Sequence, residues 1–405
     1  MALIPDGEMA LGPFRIDTPN RRLVTDGAIL ELRPQAFRAL KVLIDHRGEL
    51  VEYSQLIREA WAGFQVSKHT VAVTVNEIRD ALGAYGSYIT CRPKLGYQLQ
   101  LPALSDLLRR GWHFWNLYTR AGFENALRCF QESAERDPAD FRAFVGVTAT
   151  YLMLGAFLMR APRSIREPFL QTYARAVALC GLTPELRADR AFGRLIFERQ
   201  PAKAETELLE TRRAHPETPH VHIRLALTYM ALGQLDQAAI VMRRAQTGDA
   251  LVPELTFTGT LLRIFRREFD AAAAWGKDHL DLHPGSQIGR VFYAEALEHS
   301  GLVAEALAQY QLAAAMSPDI SWIRAQLARC LARHGRPAKA VAILHELQLN
   351  RDAEYVDAYF LALLLDALGR PEEAAQELDR ARREGSYALL FASVDPKADG
   401  LKKLL

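Results

Sequence analysis

The sequence predicts an α+β domain over residues 1–102, then an all-α superhelix of stacked helical hairpins over 105–386 and a short tail at 387–405, so that helix dominates overall. Three observations carry this. Residues 9 to about 32 hold short apolar segments broken by turn residues, the mark of a small antiparallel sheet. After Pro34 the apolar positions fall at helical spacing, and a strand-turn-strand segment closes the domain at 88–99. From Asp106 onward the spacing is helical throughout and repeats at a fixed period.

In the first segment MALGPFRID, RRLVTD and AILELR are separated by Pro13, by Pro19 and Asn20, and by Asp26-Gly27, a dipeptide suited to a two-residue hairpin turn. Pro34 fits the first turn of a helix, where its missing N–H costs no hydrogen bond. Phe37, Leu40, Leu43 and Ile44 share one face of that helix, which ends near His46-Arg47-Gly48. A second, short helix spans Tyr53 to Trp61 with Leu56, Ile57 and Ala60 inward, and Ala62-Gly63 ends it. A third runs to Leu82 from Ser67, whose hydroxyl can accept from the free N–H groups of the first turn. Val71, Val75, Ile78 and Leu82 form its buried stripe, and Gly83 closes it. Tyr88 to Leu99 reads as two strands about a tight turn at Pro93 to Gly96.

The helical region repeats. In the stretch from Gly301 to Pro318, Ala306, Tyr310, Ala313 and Pro318 stand at offsets 5, 9, 12 and 17 from the glycine. The frame recurs as Gly233, Ala238, Met242, Ala245; as Gly335, Ala340, Leu344, Leu347; and as Gly369, Ala374, Leu378, Ala381. Repeat ends at Pro216, Pro284, Pro318 and Asp352 lie 68, 34 and 34 residues apart, which is the tetratricopeptide period, the first gap holding two units. Earlier ends at Pro138 and Pro184 are 46 residues apart, predicting a longer loop or helix around Ala161 to Pro168. About eight hairpins result. Alanine at offset 5 lets paired helices approach, the larger residue at offset 9 fills the groove to the next hairpin, and proline stops the second helix.

With 50 basic and 48 acidic residues the chain has no global field to draw it onto nucleic acid or membrane, so any nucleic-acid binding must come from a local patch. Cys91, Cys129, Cys180 and Cys330 show no metal-binding or disulfide spacing, which fits a cytoplasmic setting. The start, MALIPDGEMALGPF, does not read as a signal peptide, and the longest nearly apolar run, Tyr151 to Met159, is about half of the roughly 20 residues a membrane helix needs. No phosphate loop, nucleophile elbow or HExxH motif occurs, and neither catalysis nor a cofactor is expected. His279 and His283 share a helix face at i, i+4 without a clear third ligand, and His215, His220 and His222 cluster around a helix start; ordinary surface roles are expected for both groups, and no metal. Trp112, Phe114, Trp115 and Tyr118 suit a ligand pocket, an interface between the two parts, or core packing, which is the expectation.

Taken in order, the first hundred residues resemble the DNA-binding domain of OmpR/PhoB-type response regulators, a winged helix-turn-helix. The likeness covers about 9 to 101: Arg33-Pro-Gln-Ala-Phe37, Gly48-Glu-Leu-Val51, Leu56 and Trp61, Val66 to Val71, Ile78-Arg79-Asp80-Ala81-Leu82, and Arg92 to Leu99 with Gly96-Tyr97. That domain placed ahead of helical repeats is similar to the ToxR/CadC/HilA style of regulator and the related antibiotic regulatory proteins. The tail Phe391 to Leu401 resembles the closing segment of such repeat regions. The membrane helix of some of these regulators and the phosphoacceptor domain of response regulators have no recognised counterpart here.

The resemblance implies double-stranded DNA as a partner, with the third helix in the major groove and the last hairpin at the adjacent minor groove. On that helix Lys68, His69, Ala72, Val73, Asn76, Glu77 and Asp80 face outward, with Thr70 and Thr74 at the margins. Asn76 suits adenine and Glu77 cytosine N4. Thr90, Arg92 and Lys94 suit the wing, and Trp61 and Arg79 the DNA backbone. Family members carry an arginine where His69 stands and a basic residue near Glu77. The first 102 residues hold twelve Lys/Arg against eleven Asp/Glu, so modest affinity per chain and a homodimer or tandem sites are expected. The expected function is a sequence-specific transcription regulator whose solenoid binds a protein, peptide or small-molecule effector. The competing reading is a scaffold whose winged domain meets only proteins.

Overall fold

A computed structural model of the chain describes residues 10–11, 14–17, 22–25, 28–30, 32–100, 106–216, 218–245, 253–352 and 354–404. The chain divides into two compact units, 1–106 with 175–184, and 107–174 with 185–405.

In the first unit, β1 (Ala10–Leu11), β2 (Phe14–Asp17), β3 (Arg22–Thr25) and β4 (Ala28–Leu30) pair antiparallel in chain order. Pro13, Pro19, Asn20 and the Asp26-Gly27 turn lie outside the described residues. Helix α1 (Pro34–Asp45) begins on its proline and buries Phe37, Leu40, Leu43 and Ile44. A strand the sequence reading did not separate follows, β5 (Leu50–Glu52). It joins β6 (Ile89–Arg92) and β7 (Gly96–Leu99) in a second antiparallel sheet of order β5-β7-β6, with Val51 opposite Tyr97. Between them stand α2 (Tyr53–Ala60) and α3 (Lys68–Leu82). Leu40, Leu43, Val51, Leu56, Val71, Val75 and Ile78 are fully buried, each such side chain contributing roughly 1.5–3 kcal/mol.

Sixteen helices follow in eight consecutive pairs among the described residues. The early ones are α4 (Asp106–Trp115) with α5 (Arg120–Arg136), α6 (Phe141–Ala156) with α7 (Pro162–Cys180), α8 (Pro184–Glu198) with α9 (Pro201–Ala214), and α10 (Pro219–Ala231) with α11 (Leu235–Ala245). The later ones are α12 (Pro253–Phe265) with α13 (Phe269–Leu282), α14 (Gln287–His299) with α15 (Val303–Met316), α16 (Ser321–Arg333) with α17 (Pro337–Leu349), and α18 (Ala358–Ala367) with α19 (Pro371–Glu384). The irregular spacing between Pro138 and Pro184 is taken up by the nineteen-residue α7, which carries Pro168 inside it. Every frame residue at offsets 5, 9 and 12 is buried, and Gly233, Gly301, Gly335 and Gly369 adopt φ of +70° to +82° between paired helices, a conformation glycine reaches without a Cβ clash.

The two helices of a pair are buried differently. Helix α11 buries one stripe, Ala238, Val241, Met242 and Ala245, whereas α10 is buried without interruption from Val221 to Met230. The first helices are covered on the side away from their partners by other parts of the same unit. Trp322 on α16 donates through Nε1 to the carbonyl of Phe157 at 2.8 Å, and Arg120 donates to the carbonyl of Asp319 at 2.7 Å. Tyr118 and Phe123 of the first hairpin and Phe157 of the second meet ring to ring at 5.9–6.2 Å, and Tyr118 and Phe157 also meet Phe257 of the fifth at 6.2 and 5.7 Å. The C-terminal segment, in two short 3-10 stretches (Ala388–Phe391 and Pro396–Leu401), covers further parts of the same inner side.

Candidate nucleic-acid interface

Helix α3 starts where the sequence places it: Ser67 Oγ accepts from Thr70 N at 3.1 Å. Its buried stripe is Val71, Thr74, Val75, Ile78 and Leu82, which leaves Lys68, His69, Thr70, Val73, Asn76 and Asp80 exposed. His69, Val73, Asn76 and Asp80, spaced four, three and four residues apart, form one outward row. Thr74 is only 4% exposed, its hydroxyl donating to the Thr70 carbonyl at 3.0 Å, and it serves the core. Trp61 is 7% exposed and caps α2 rather than projecting from it.

Glu77 is turned out of the row. Its Oε1 accepts from the Arg33 backbone N–H at 3.3 Å and its Oε2 from the Arg33 guanidinium, at 2.7 Å from Nε and through a close contact with Nη2. The hydrogen-bonded guanidinium holds the carboxyl below its ordinary range, so it stays ionised and paired. The acidic residue that looked unfavourable for a phosphate-facing surface is therefore neutralised within the domain. Sequence reasoning had no signal for this, because Arg33 lies 44 residues away on the entry to α1.

Arg79 also works internally. Its Nε and Nη2 donate to the Ile89 carbonyl at 3.1 and 2.6 Å, fastening α3 to β6, and its Nη1 donates to Asn76 Oδ1 at 3.1 Å. That contact uses the Asn76 carbonyl oxygen.

The wing is β6 and β7 with the turn between them. Thr90, Arg92 and Lys94 are all exposed, and Lys94 sits at φ +69° at the tip. Arg92 donates to Gln98 Oε1 at 3.4 Å across the hairpin. Lys68 joins helix to wing: its ammonium lies 4.8 Å from the Tyr53 ring centre and donates to the Lys94 carbonyl at 3.4 Å. Lys68 at the start of α3 and Arg92 and Lys94 on the wing are exposed cations, the first in contact with the wing tip, with His69 exposed beside Lys68 and Asp80 on the helix row. Leu95, next to Lys94 at the wing tip, and Phe64, in the segment between α2 and α3, are exposed apolar residues the sequence reading did not single out.

The other candidate groups are structural. Trp112 packs edge-on against Phe130 at 4.9 Å and Trp115 against Tyr118 at 5.3 Å. Phe114 is half-buried beside the His113 ring at 5.7 Å. His220 lies 2.9 Å from Asp189, but His222, 2.7 Å from the Pro216 carbonyl, and His215 are buried at 3% and 8% exposed and are not the surface histidines expected. His279 is 1% exposed against Thr256, with the His283 ring 5.1 Å away, and is not the surface histidine expected. Among the described residues Glu298, Cys330 and His334 bring ligand-type atoms within 4.8 Å of one another. Arg329 donates to both Glu298 oxygens, so the carboxylate of this group is already ion-paired within the core, and burial pushes the Cys330 thiol up to about 12.

Comparison with known proteins accords with both parts. Residues 27–99 match the family described as "Transcriptional regulatory protein, C terminal", and residues 194–253 and 294–385 match tetratricopeptide repeat families. The chain is similar to the transcriptional activator CadC of Escherichia coli K12, 26% identical over 98 residues, which is 23% of this chain and 19% of that protein's length. Among solved structures it is similar to the APC/C hetero-tetramer Cut9-Hcn1, 13% identical over 92% of this chain and 63% of the other, with a TM-score of 0.54, a likeness of fold alone. It is also similar to a thermophilic tetratricopeptide protein of Thermus thermophilus, 23% identical over 47% of this chain and 97% of the other, with a TM-score of 0.39. Among the described residues no helix is long and apolar enough to cross a membrane. The chain thus carries an OmpR/PhoB-type transcriptional-regulator domain at its N-terminus, followed by tetratricopeptide repeats.

Proposed function

We propose that this chain is a sequence-specific regulator of transcription, acting without catalysis in the cytoplasm. It reads double-stranded DNA with α3 and the β6–β7 wing, and takes a protein, peptide or small-molecule effector on its solenoid. The observation that carries the reading is the internal pairing of Glu77 with Arg33, which leaves Lys68, His69, Arg92 and Lys94 exposed together with Asn76 on the outward row. Phosphate contacts supply affinity there and Asn76 supplies base selection. A homodimer on paired half-sites makes up for the small number of cations per chain. The effector acts through its differential affinity for DNA-competent and incompetent arrangements.

The test is titration of the full chain with double-stranded DNA across salt concentrations. Affinity is expected to fall as salt rises, with the log–log slope reduced by about 1 in Arg92→Ala. Binding unchanged in that variant, at every salt concentration, removes the wing from the account. A second reading is favoured by Phe64 and Leu95, which are 74% and 56% exposed: the winged domain then contacts a protein rather than DNA.

A further inference from the structure

The solenoid unit has a seam where hairpins far apart in the stack meet. Arg163, in the first turn of α7 in the second hairpin, donates through Nη2 to the Arg383 carbonyl of α19 in the eighth at 3.1 Å. Arg199 donates to the neighbouring Arg382 carbonyl at 3.5 Å. Beside the first of these contacts lies a cavity of about 170 Å³. Its walls come from three places: Ala161 to Arg163 at the start of α7, Arg351 and Glu354 to Val356 in the connection between α17 and α18, and Arg380 and Glu384 on α19. A cavity of about 150 Å³ admits a benzene ring, so this one has room for a small organic molecule.

Three cations and two carboxylates line the cavity, and all but one are already matched. Arg380 is paired with Glu384 at 2.6 Å, Arg351 at 2.5 Å with Glu377 outside the lining, and Glu354 with Arg324, also outside it. Arg163 meets no carboxylate among the described residues. Its contact with the Arg383 carbonyl uses one of five N–H donors, and its place in the first turn of α7 adds the positive end of the helix dipole to its charge. The lining therefore carries one uncompensated positive charge. A ligand with one negative charge balances it, whereas a cation finds both carboxylates taken and a second negative charge finds no second free guanidinium. The rest of the wall is apolar: Ala161, Pro162, Val356 and the ring of Tyr355, whose hydroxyl is spent on Asp357 at 2.8 Å.

We propose that this seam cavity binds a small monocarboxylate, its carboxylate on the Arg163 guanidinium and its apolar body against Pro162 and Val356. Such a ligand bridges the second and eighth hairpins, which are not neighbours in the stack, so occupancy favours the arrangement in which the seam is shut. The proposal rests on the reading of the solenoid as the effector-binding part and gives that effector a chemical class.

The test is calorimetric titration of the full chain with acetate, butyrate and benzoate, with the matching amides and with inorganic phosphate, DNA retention being measured on the same preparation. Saturable binding of at least one of the three carboxylates is expected, at least tenfold weaker for its amide and for phosphate, with an unfolding temperature that rises with carboxylate concentration. Arg163→Gln removes the guanidinium, and Ala161→Leu narrows the cavity without touching a charge. Each is expected to weaken binding about tenfold while circular dichroism shows native helicity, and if Arg163→Gln does not fold, Ala161→Leu decides. Three results overturn the proposal: no saturable binding of any of the three carboxylates, an amide or phosphate bound as tightly, or binding unchanged in a folded variant. DNA retention separates the two readings, since a chain that holds DNA without binding carboxylate loses only this inference, and one that holds no DNA loses the regulator reading whatever the carboxylate does.

Discussion

Two glutamate–arginine pairs, one in each unit, put similar chemistry to different uses. In the first unit the Glu77 and Arg33 side chains are 26% and 63% exposed. In the second, those of Glu298 and Arg329 are 5% and 1% exposed, with Tyr310 and His334 completing the cluster. Solvent screens the first pair, which adds little to stability. Its effect is on the surface, where it withdraws a negative charge from the outward side of α3. The second pair has no solvent to fall back on: burial alone would raise the Glu298 carboxyl, but the Arg329 guanidinium outweighs it and holds it at about 2. Charge changes in the first unit should therefore be read in binding, and those in the second in folding.

The largest expected effect breaks the buried pair. Arg329→Ala leaves the buried Glu298 carboxyl without its cation, and unfolding of the solenoid in urea should become easier by about 3–5 kcal/mol. A loss below about 1 kcal/mol in that measurement would erase the contrast between the two pairs.

Next is pH. Burial first, and for His299 the nearby Lys397 and Arg329 cations, lower the pKa of both His279 and His299 from 6.5 to about 4. In the unfolded chain each takes up a proton near pH 6.5, and in the folded chain only near pH 4. Stability is therefore complete above about pH 6.5 and falls as the pH drops from there towards 4, by at most roughly 3 kcal/mol per histidine. Thermal unfolding followed from pH 7.5 to 4.5 should show that fall, and replacing His279 by Gln should make it shallower. Glu298 adds its own loss only at lower pH, between its ordinary range and about 2.

The smallest effect on stability sharpens the comparison from the other side. Glu77→Gln should leave unfolding almost unchanged, while freeing Arg33 and steepening the salt dependence of DNA binding by up to about 0.9 in log–log slope. Unchanged DNA binding would place Arg33 away from the interface.

Much of this was legible in the sequence because it is local. Ser67 and Gly83 bound α3 as a cap and a stop, and the alanines and larger residues counted from each repeat glycine are the ones that became buried. Strand β5 was not legible, since three residues are too few to show an alternation. Long-range partners were not legible either. Periodicity places Glu77 on the outward side of α3 but is silent on Arg33, and the repeat frame, counted on the second helix of each pair, does not announce that α10 is buried without interruption from Val221 to Met230. The interface residues divide the same way: Lys68, His69, Asn76, Arg92 and Lys94 lie where helical and hairpin spacing put them, while Trp61, Thr74 and Arg79 are taken up by the core and by β6.

The most direct test of the central claim is selection from a random double-stranded DNA library by the full chain at low and high salt, repeated with Asn76→Ala. The account predicts one enriched motif, retention that falls as salt rises, and relaxed preference at one base position in the variant. No DNA retained by the native chain even at low salt would contradict it, and would leave the winged domain as a protein-contact module.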